Sequence, residues 1–169
     1  MKTKAVFLIA ALTFLMSAGC HDEKAPVTSG ITGSITDHSD CKLFKDANLK
    51  FTEPDTISCI YYSYNPVKLK LTMQHINAGF NCCPEEIYCE ILTHNDTIII
   101  KEFEKEQACN CLCLFDLDLE VNNVGQNKYV LKFIEPYAEG QEELIFGIDL
   151  TSGIAGEFCV TRKGYPWGS

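Results

Sequence analysis

The sequence predicts an all-β protein, an antiparallel immunoglobulin-like β-sandwich of about seven strands behind a flexible N-terminal leash. Three observations predict it. From Thr56 onward, segment after segment alternates apolar and polar residues with period two; turn residues interrupt these segments about every ten residues; and no stretch carries the period of an amphipathic helix. A closed barrel is the alternative arrangement of the same strands.

Residues 1–19 read as a targeting segment, with Lys2 and Lys4 ahead of the apolar run Ala5 to Met16 and the small residues Ser17-Ala18-Gly19 before Cys20. The run is too short to stay in a bilayer as a helix. Ser-Ala-Gly-Cys resembles the bacterial lipobox, and that resemblance implies that Cys20 is acylated and becomes the first mature residue. His21-Asp22-Glu23-Lys24 resembles the charged tether of lipoproteins sent to the outer cell surface. The expected location is therefore the outer membrane or cell surface, with the periplasm-facing leaflet as the other option.

Residues 20–55 are rich in Ser, Thr, Gly, Asp and Lys without apolar periodicity, which is the composition of a leash projecting a domain from a membrane. The β-domain is expected over 56–163, and residues 164–169 form a tail. Within the domain, Thr56 to Tyr64 is β-branched and aromatic and ends at Asn65-Pro66. Val67, Leu69, Leu71 and Met73 then alternate with polar residues, which puts His75 on the buried side. Gly79 to Glu85 reads as a turn. Ile87 to Leu92 and Thr97 to Glu104 read as a hairpin around His94-Asn95-Asp96, with Lys101 to Gln107 as an exposed strand end and loop. Cys109, Cys111, Cys113, Phe115, Leu117, Leu119 and Val121 share one parity and Asp116, Asp118 and Glu120 the other. Tyr129 to Ile134, Leu144 to Leu150 and Glu157 to Arg162 complete the strands.

The chain has 169 residues and a net charge of −9; losing the first 19 removes two lysines and no acids, which takes the charge to −11. So acidic a surface repels phosphate backbones, so nucleic acid is excluded as a partner, and membrane attachment must come from lipid on Cys20.

Of the ten cysteines, nine remain after Cys20, an odd number, so at least one thiol is left outside any set of internal disulfides. Side chains at i and i+2 of a strand lie about 7 Å apart, beyond disulfide reach. Cys109, Cys111 and Cys113 therefore need partners on another segment, with Cys82, Cys83 and Cys89 as candidates, and Cys82 and Cys83 project to opposite sides. Cys41 and Cys59 are expected to form a separate disulfide and Cys159 to be the odd one out.

Two chemistries fit the cluster. Export favours disulfide staples, each closing a loop of about 30 residues and contributing about 3 kcal/mol. Alternatively, Cys82, Cys83, Cys109, Cys111 and Cys113 would hold zinc or copper as thiolates, with His75 as a further ligand. Without that metal, no cofactor is implied. Redox catalysis fits poorly, because Glu102, Glu104, Glu106 and Asp116 flank the cysteines where a reactive thiol needs positive neighbours.

Asp116, Asp118 and Glu120 read as a solvated strand face, and Glu135, Glu139, Glu142 and Glu143 as a charged loop. Tyr61, Tyr62, Tyr64 and Tyr165-Pro166-Trp167 are the residue types of a glycan platform and equally of a sandwich core. No Gly-x-Ser-x-Gly, P-loop, dinucleotide fingerprint or His-Glu-x-x-His motif is present, so no enzyme is expected.

The combination Asn81-Cys82-Cys83-Pro84, Cys109-x-Cys111-x-Cys113-x-Phe115-Asp116-Leu117 and Tyr129-Val130-Leu131 resembles a group of small uncharacterised cysteine-rich lipoproteins of Gram-negative gut anaerobes, over roughly residues 57–150. The resemblance implies an exported β-sandwich and an anaerobic habitat, which favours free or metal-bound thiols. Sequence therefore points to a lipid-anchored, non-enzymatic surface or periplasmic module that is structural or binds a protein or glycan.

Overall fold

The computed structural model describes residues 30–42, 56–105 and 109–164. Nine strands form two facing sheets, with no helix among the described residues. The strands are β1 (Thr32–His38), β2 (Ile57–Asn65), β3 (Lys70–Asn81), β4 (Glu86–His94), β5 (Thr97–Lys105), β6 (Leu112–Asn122), β7 (Lys128–Ile134), β8 (Ile145–Asp149) and β9 (Ala155–Thr161). The five-stranded sheet runs β1-β6-β3-β2-β9 and the four-stranded sheet β4-β5-β7-β8. The expected two-sheet sandwich forms, with nine strands where the sequence suggested about seven.

Every named pairing is antiparallel except β5–β7. That pair is parallel because the chain leaves β5 for the opposite sheet, runs through β6, and returns at β7 beside β5.

Over residues 30–42, β1 corrects the expectation of a flexible leash spanning 20–55. Thr32–His38 pairs with β6, and the chain continues past it with Lys42 bridged to Leu114. Composition misled here because β1 is an edge strand with a mostly exposed face, so few apolar residues mark it. Gly33 is required: a Cβ there would collide with the backbone carbonyl of Glu120 and press on Ile91.

β3 begins and ends later than alternation suggests. The Asn65 carboxamide oxygen accepts the backbone N–H groups of Val67 and Lys68, an Asx turn that holds Val67 out in solvent, 91 % exposed, and Leu69 sits at φ +50°. At the other end Gly79 to Asn81, read as a turn, continue the strand against β6. Between them the register shifts at a bulge whose Asn77 has φ +61°. The bulge changes the parity of the strand, so Leu71, Met73 and His75 face the core before it, and Ala78 and Phe80 after it.

The core lies between the sheets. Ile60, Leu71, Phe80, Leu117, Leu119 and Val121 from one sheet meet Ile98, Ile100, Leu131, Ile148 and Leu150 from the other, all buried. At about 25 cal/mol per Å² of apolar surface removed from water, this interdigitated layer is the main term holding the sheets together.

Candidate functional site

The expected parity of β6 holds from Cys113 onward: Cys113, Phe115, Leu117, Leu119 and Val121 are buried. It fails before Leu112, where the strand has not started; Cys109 and Cys111 are exposed rather than inward. They meet Cys82 and Cys83 because β3 and β6 are neighbours and both cysteine segments extend the same end of that pair.

Four cysteine pairs stand at disulfide distance: Cys41–Cys113, Cys59–Cys159, Cys82–Cys111 and Cys83–Cys109, with Cα atoms 5.7, 4.1, 5.5 and 6.1 Å apart. As expected, Cys82 and Cys83 take different partners and no pair forms within Cys109, Cys111 and Cys113. Two expectations are corrected. Cys41 and Cys59 do not pair with each other, because the β1–β6 pairing carries Cys41 to Cys113 while the β2–β9 register sets Cys59 opposite Cys159. The odd thiol is Cys89 on β4, not Cys159. Burial, with the carboxylate of Glu102 beside it, pushes the Cys89 thiol up to about 11, so it stays protonated and unreactive near neutral pH. So many disulfide pairs are the mark of a protein that matures in an oxidising, extracytoplasmic compartment.

The carbonyls and amides around the exposed sulfurs are tied without their help. Asn81 Nδ2 donates to Cys109 O at 2.7 Å, Asn81 Oδ1 accepts the Cys83 N–H at 3.0 Å, and the Cys82 N–H donates to Cys111 O at 3.0 Å. Glu104 in turn accepts the Asn81 N–H through Oε2 and the Tyr137 hydroxyl through Oε1.

A second cluster lies in the core, and His75 belongs to it rather than to the sulfurs. Its Nδ1 donates to Glu102 Oε1 at 2.8 Å, its Nε2 meets Ser58 Oγ at 2.9 Å, and Glu135 Oε1 stands 3.6 Å from Nε2. Arg162 pairs with Glu135 Oε2 and donates to Glu142 O. His75, Glu102 and Arg162 are all buried. Burial pushes the His75 imidazole down, but the charge of Glu102, its hydrogen bond and the charge of Glu135 push harder, and the net shift is upward. Burial likewise raises Glu102, only partly opposed by His75.

Glu102 was expected on an exposed strand end and Glu135 on a charged loop; both are inside. The first was legible, since Glu102 continues the parity of Ile98 and Ile100. Glu135, one residue past β7, likewise continues the parity of the buried Leu131 and Phe133, but only the fold brings it to Arg162 beyond β9.

The outer face of the five-stranded sheet holds a shallow, open depression of about 490 Å³ lined by Thr36, Tyr61, Thr72, Gln74, Asp118 and Glu120 among others. Its acids are engaged: Lys70 meets Glu120 and Gln74 donates to Asp118, while Asp116 beside it is held by Lys42 and the Asn77 N–H. The tyrosines do not form one platform. Tyr64 is buried with its hydroxyl on Val124 O, and Tyr62 leans on Phe146, 6.2 Å between centroids. The terminal Tyr165-Pro166-Trp167, Cys20 and residues 1–19 lie outside the described residues.

No protein-family model, curated protein or solved structure matches this chain. Its function must be read from its own groups. Among the described residues, two sets could offer a metal three ligands: the sulfurs of Cys82, Cys83 and Cys109, and His75 with Glu102 and Glu135. Cys113 is committed to Cys41 and is absent from the first set, as are Cys111, Cys89 and His75. In the second set the buried Arg162 already supplies positive charge, so an added cation would be opposed.

Proposed function

We propose that the chain is an exported, lipid-anchored β-sandwich that acts as a non-enzymatic structural or binding module of the cell envelope, with its cysteines as disulfide staples. The observation that carries this reading is the set of four cysteine pairs at disulfide distance. Such cross-links suit a small domain outside the reducing cytoplasm, where they restrict the unfolded chain. The anchor is Cys20, and the leader before it supports that assignment. The polar outer face of the five-stranded sheet is the surface on which a glycan or protein partner would sit, because its hydroxyl, amide and carboxylate groups converge on one depression.

Intact-mass spectrometry of the protein purified from its envelope tests the reading. Alkylation in denaturant before reduction should label one thiol, Cys89, and reduction should then add two hydrogens for each of the four pairs. The same spectra should carry the mass of acyl chains, lost in Cys20→Ala. A native chain whose nine mature cysteines are all alkylatable without reductant contradicts the proposal.

A further inference from the structure

We infer that Cys82, Cys83, Cys109 and Cys111 constitute a reductively opened zinc(II) site, in which metal and disulfides are alternative closures of the same β3–β6 end. This goes beyond the staple reading, which concerns the oxidised chain alone.

Three observations converge on it. The first is sulfur geometry. The sulfurs of Cys82, Cys83 and Cys109 all lie within 4.8 Å of one another, and Cys111 is brought to Cys82 as its disulfide partner. Sulfurs on one tetrahedral zinc lie about 3.7 Å apart, since each bond is about 2.3 Å, so side-chain rotations of modest size suffice for these three, and Cys111, outside the set, turns in from its place beside Cys82.

The second is a frame that does not depend on the S–S bonds. Asn81, buried at the end of β3, clasps both segments with the two ends of one carboxamide, and the Cys82–Cys111 backbone hydrogen bond runs parallel to it. Opening both disulfides therefore leaves four thiols facing one another instead of two drifting loops. Such outer groups that orient ligands are what give a metal site its affinity.

The third is access. Cys109 and Cys111 are exposed and Cys82 and Cys83 half-buried, whereas Cys59 and Cys113 are 0 % and 1 % exposed. A soluble dithiol meets both partners of the first two pairs, whereas each of the other two offers one partner only, Cys159 exposed and Cys41 half-buried. In the reaction, each of two disulfides takes two electrons and two protons from one dithiol, which leaves as its own cyclic disulfide. Zinc then binds the four sulfurs and displaces their protons to solvent.

The experiment uses the full chain, treated with dithiothreitol without denaturant and freed of reductant under anaerobic conditions. Cobalt(II) is titrated as the spectroscopic probe and zinc(II) added to displace it. We expect one equivalent of cobalt with the intense visible bands of a tetrahedral thiolate site, bleached by zinc, and none with the oxidised chain. Cys83→Ser with Cys109→Ser should abolish the bands, Cys89→Ser should leave them, and Asn81→Ala should weaken affinity by about tenfold or more. Alkylation with and without zinc, mapped by peptide mass, should show protection at the four cysteines alone. Reduced chain without thiolate bands, bands that survive Cys83→Ser with Cys109→Ser, or a reduced chain that loses its sheet and recovers neither sheet nor bands with metal, each overturns the inference. In every such case the mass increase of the oxidised chain on reduction still reports separately on the staples.

Discussion

The two sheets of this sandwich are reinforced by different chemistry. All four cysteine pairs join neighbours within the five-stranded sheet or its extensions, namely β1–β6, β2–β9 and the β3–β6 end. The four-stranded sheet carries only the unpaired Cys89. What ties one sheet to the other is the apolar layer and a buried polar cluster: His75 of β3 to Glu102 of β5, and Arg162 after β9 to Glu135 after β7. Antibody domains place their disulfide between the sheets; here buried polar side chains join them instead. Covalent bonds hold strands that are distant in sequence, with separations up to 100 residues, while the inter-sheet contact can respond to protons.

Breaking the covalent side should have the largest effect. Cys59→Ala with Cys159→Ala removes a cross-link spanning 100 residues, which chain entropy values at about 4–5 kcal/mol. Urea unfolding should show this as a lowered midpoint, and a loss under about 1 kcal/mol would mean that the β2–β9 hydrogen bonds already hold that edge.

Next comes the ionic side. Glu135→Ala removes the carboxylate from buried Arg162 and should cost about 3 kcal/mol, as expected when one partner of a buried pair is removed. If the double change Glu135→Ala with Arg162→Met is no better than the single one, the charge left behind is not the cause.

The pH dependence separates the two sides more finely. His75 and Glu102 are both raised in the native state, so the folded chain binds more protons than the unfolded one. For His75 that stability is fully present below the ordinary imidazole value of 6.5, for Glu102 below its ordinary 4.5, and each is lost as pH rises through the raised native value. The loss should run at up to about 1.4 kcal/mol per pH unit for each proton. Unfolding midpoints compared between about pH 6 and about pH 8.5 should fall toward the alkaline end, and Glu102→Gln should flatten the difference. A slope unchanged in Glu102→Gln assigns it to the acidic surface instead.

The smallest effect is expected at Cys89. Cys89→Ala should cost under about 1 kcal/mol and leave the mass gained on reduction unchanged, since its half-buried thiol bonds to no other cysteine. A shifted disulfide pattern in that variant would mean that Cys89 exchanges with the four-cysteine end.

Sequence reading succeeded where one strand is judged by its own pattern. Parity placed Cys113, Phe115, Leu117, Leu119, Val121 and His75 inward, and Cys109, Cys111 and Cys113 do not bond one another, although the strand that expectation assumed begins only at Leu112. It failed where the decision belonged to a neighbour. β1 looked like leash because only β6 makes it a strand, and Glu102 looked solvated because only His75 makes its burial tolerable.

The amino-acid order by itself determined an all-β chain, an odd thiol and two cysteine segments that must bond outside themselves, because these follow from local geometry and from counting. Only the tertiary structure decided that Cys41 meets Cys113, that Cys59 meets Cys159 and that Glu135 meets Arg162. The physical reason is that partner choice depends on which strands lie side by side. That order is set by burying the faces of all nine strands together, a property no single segment carries.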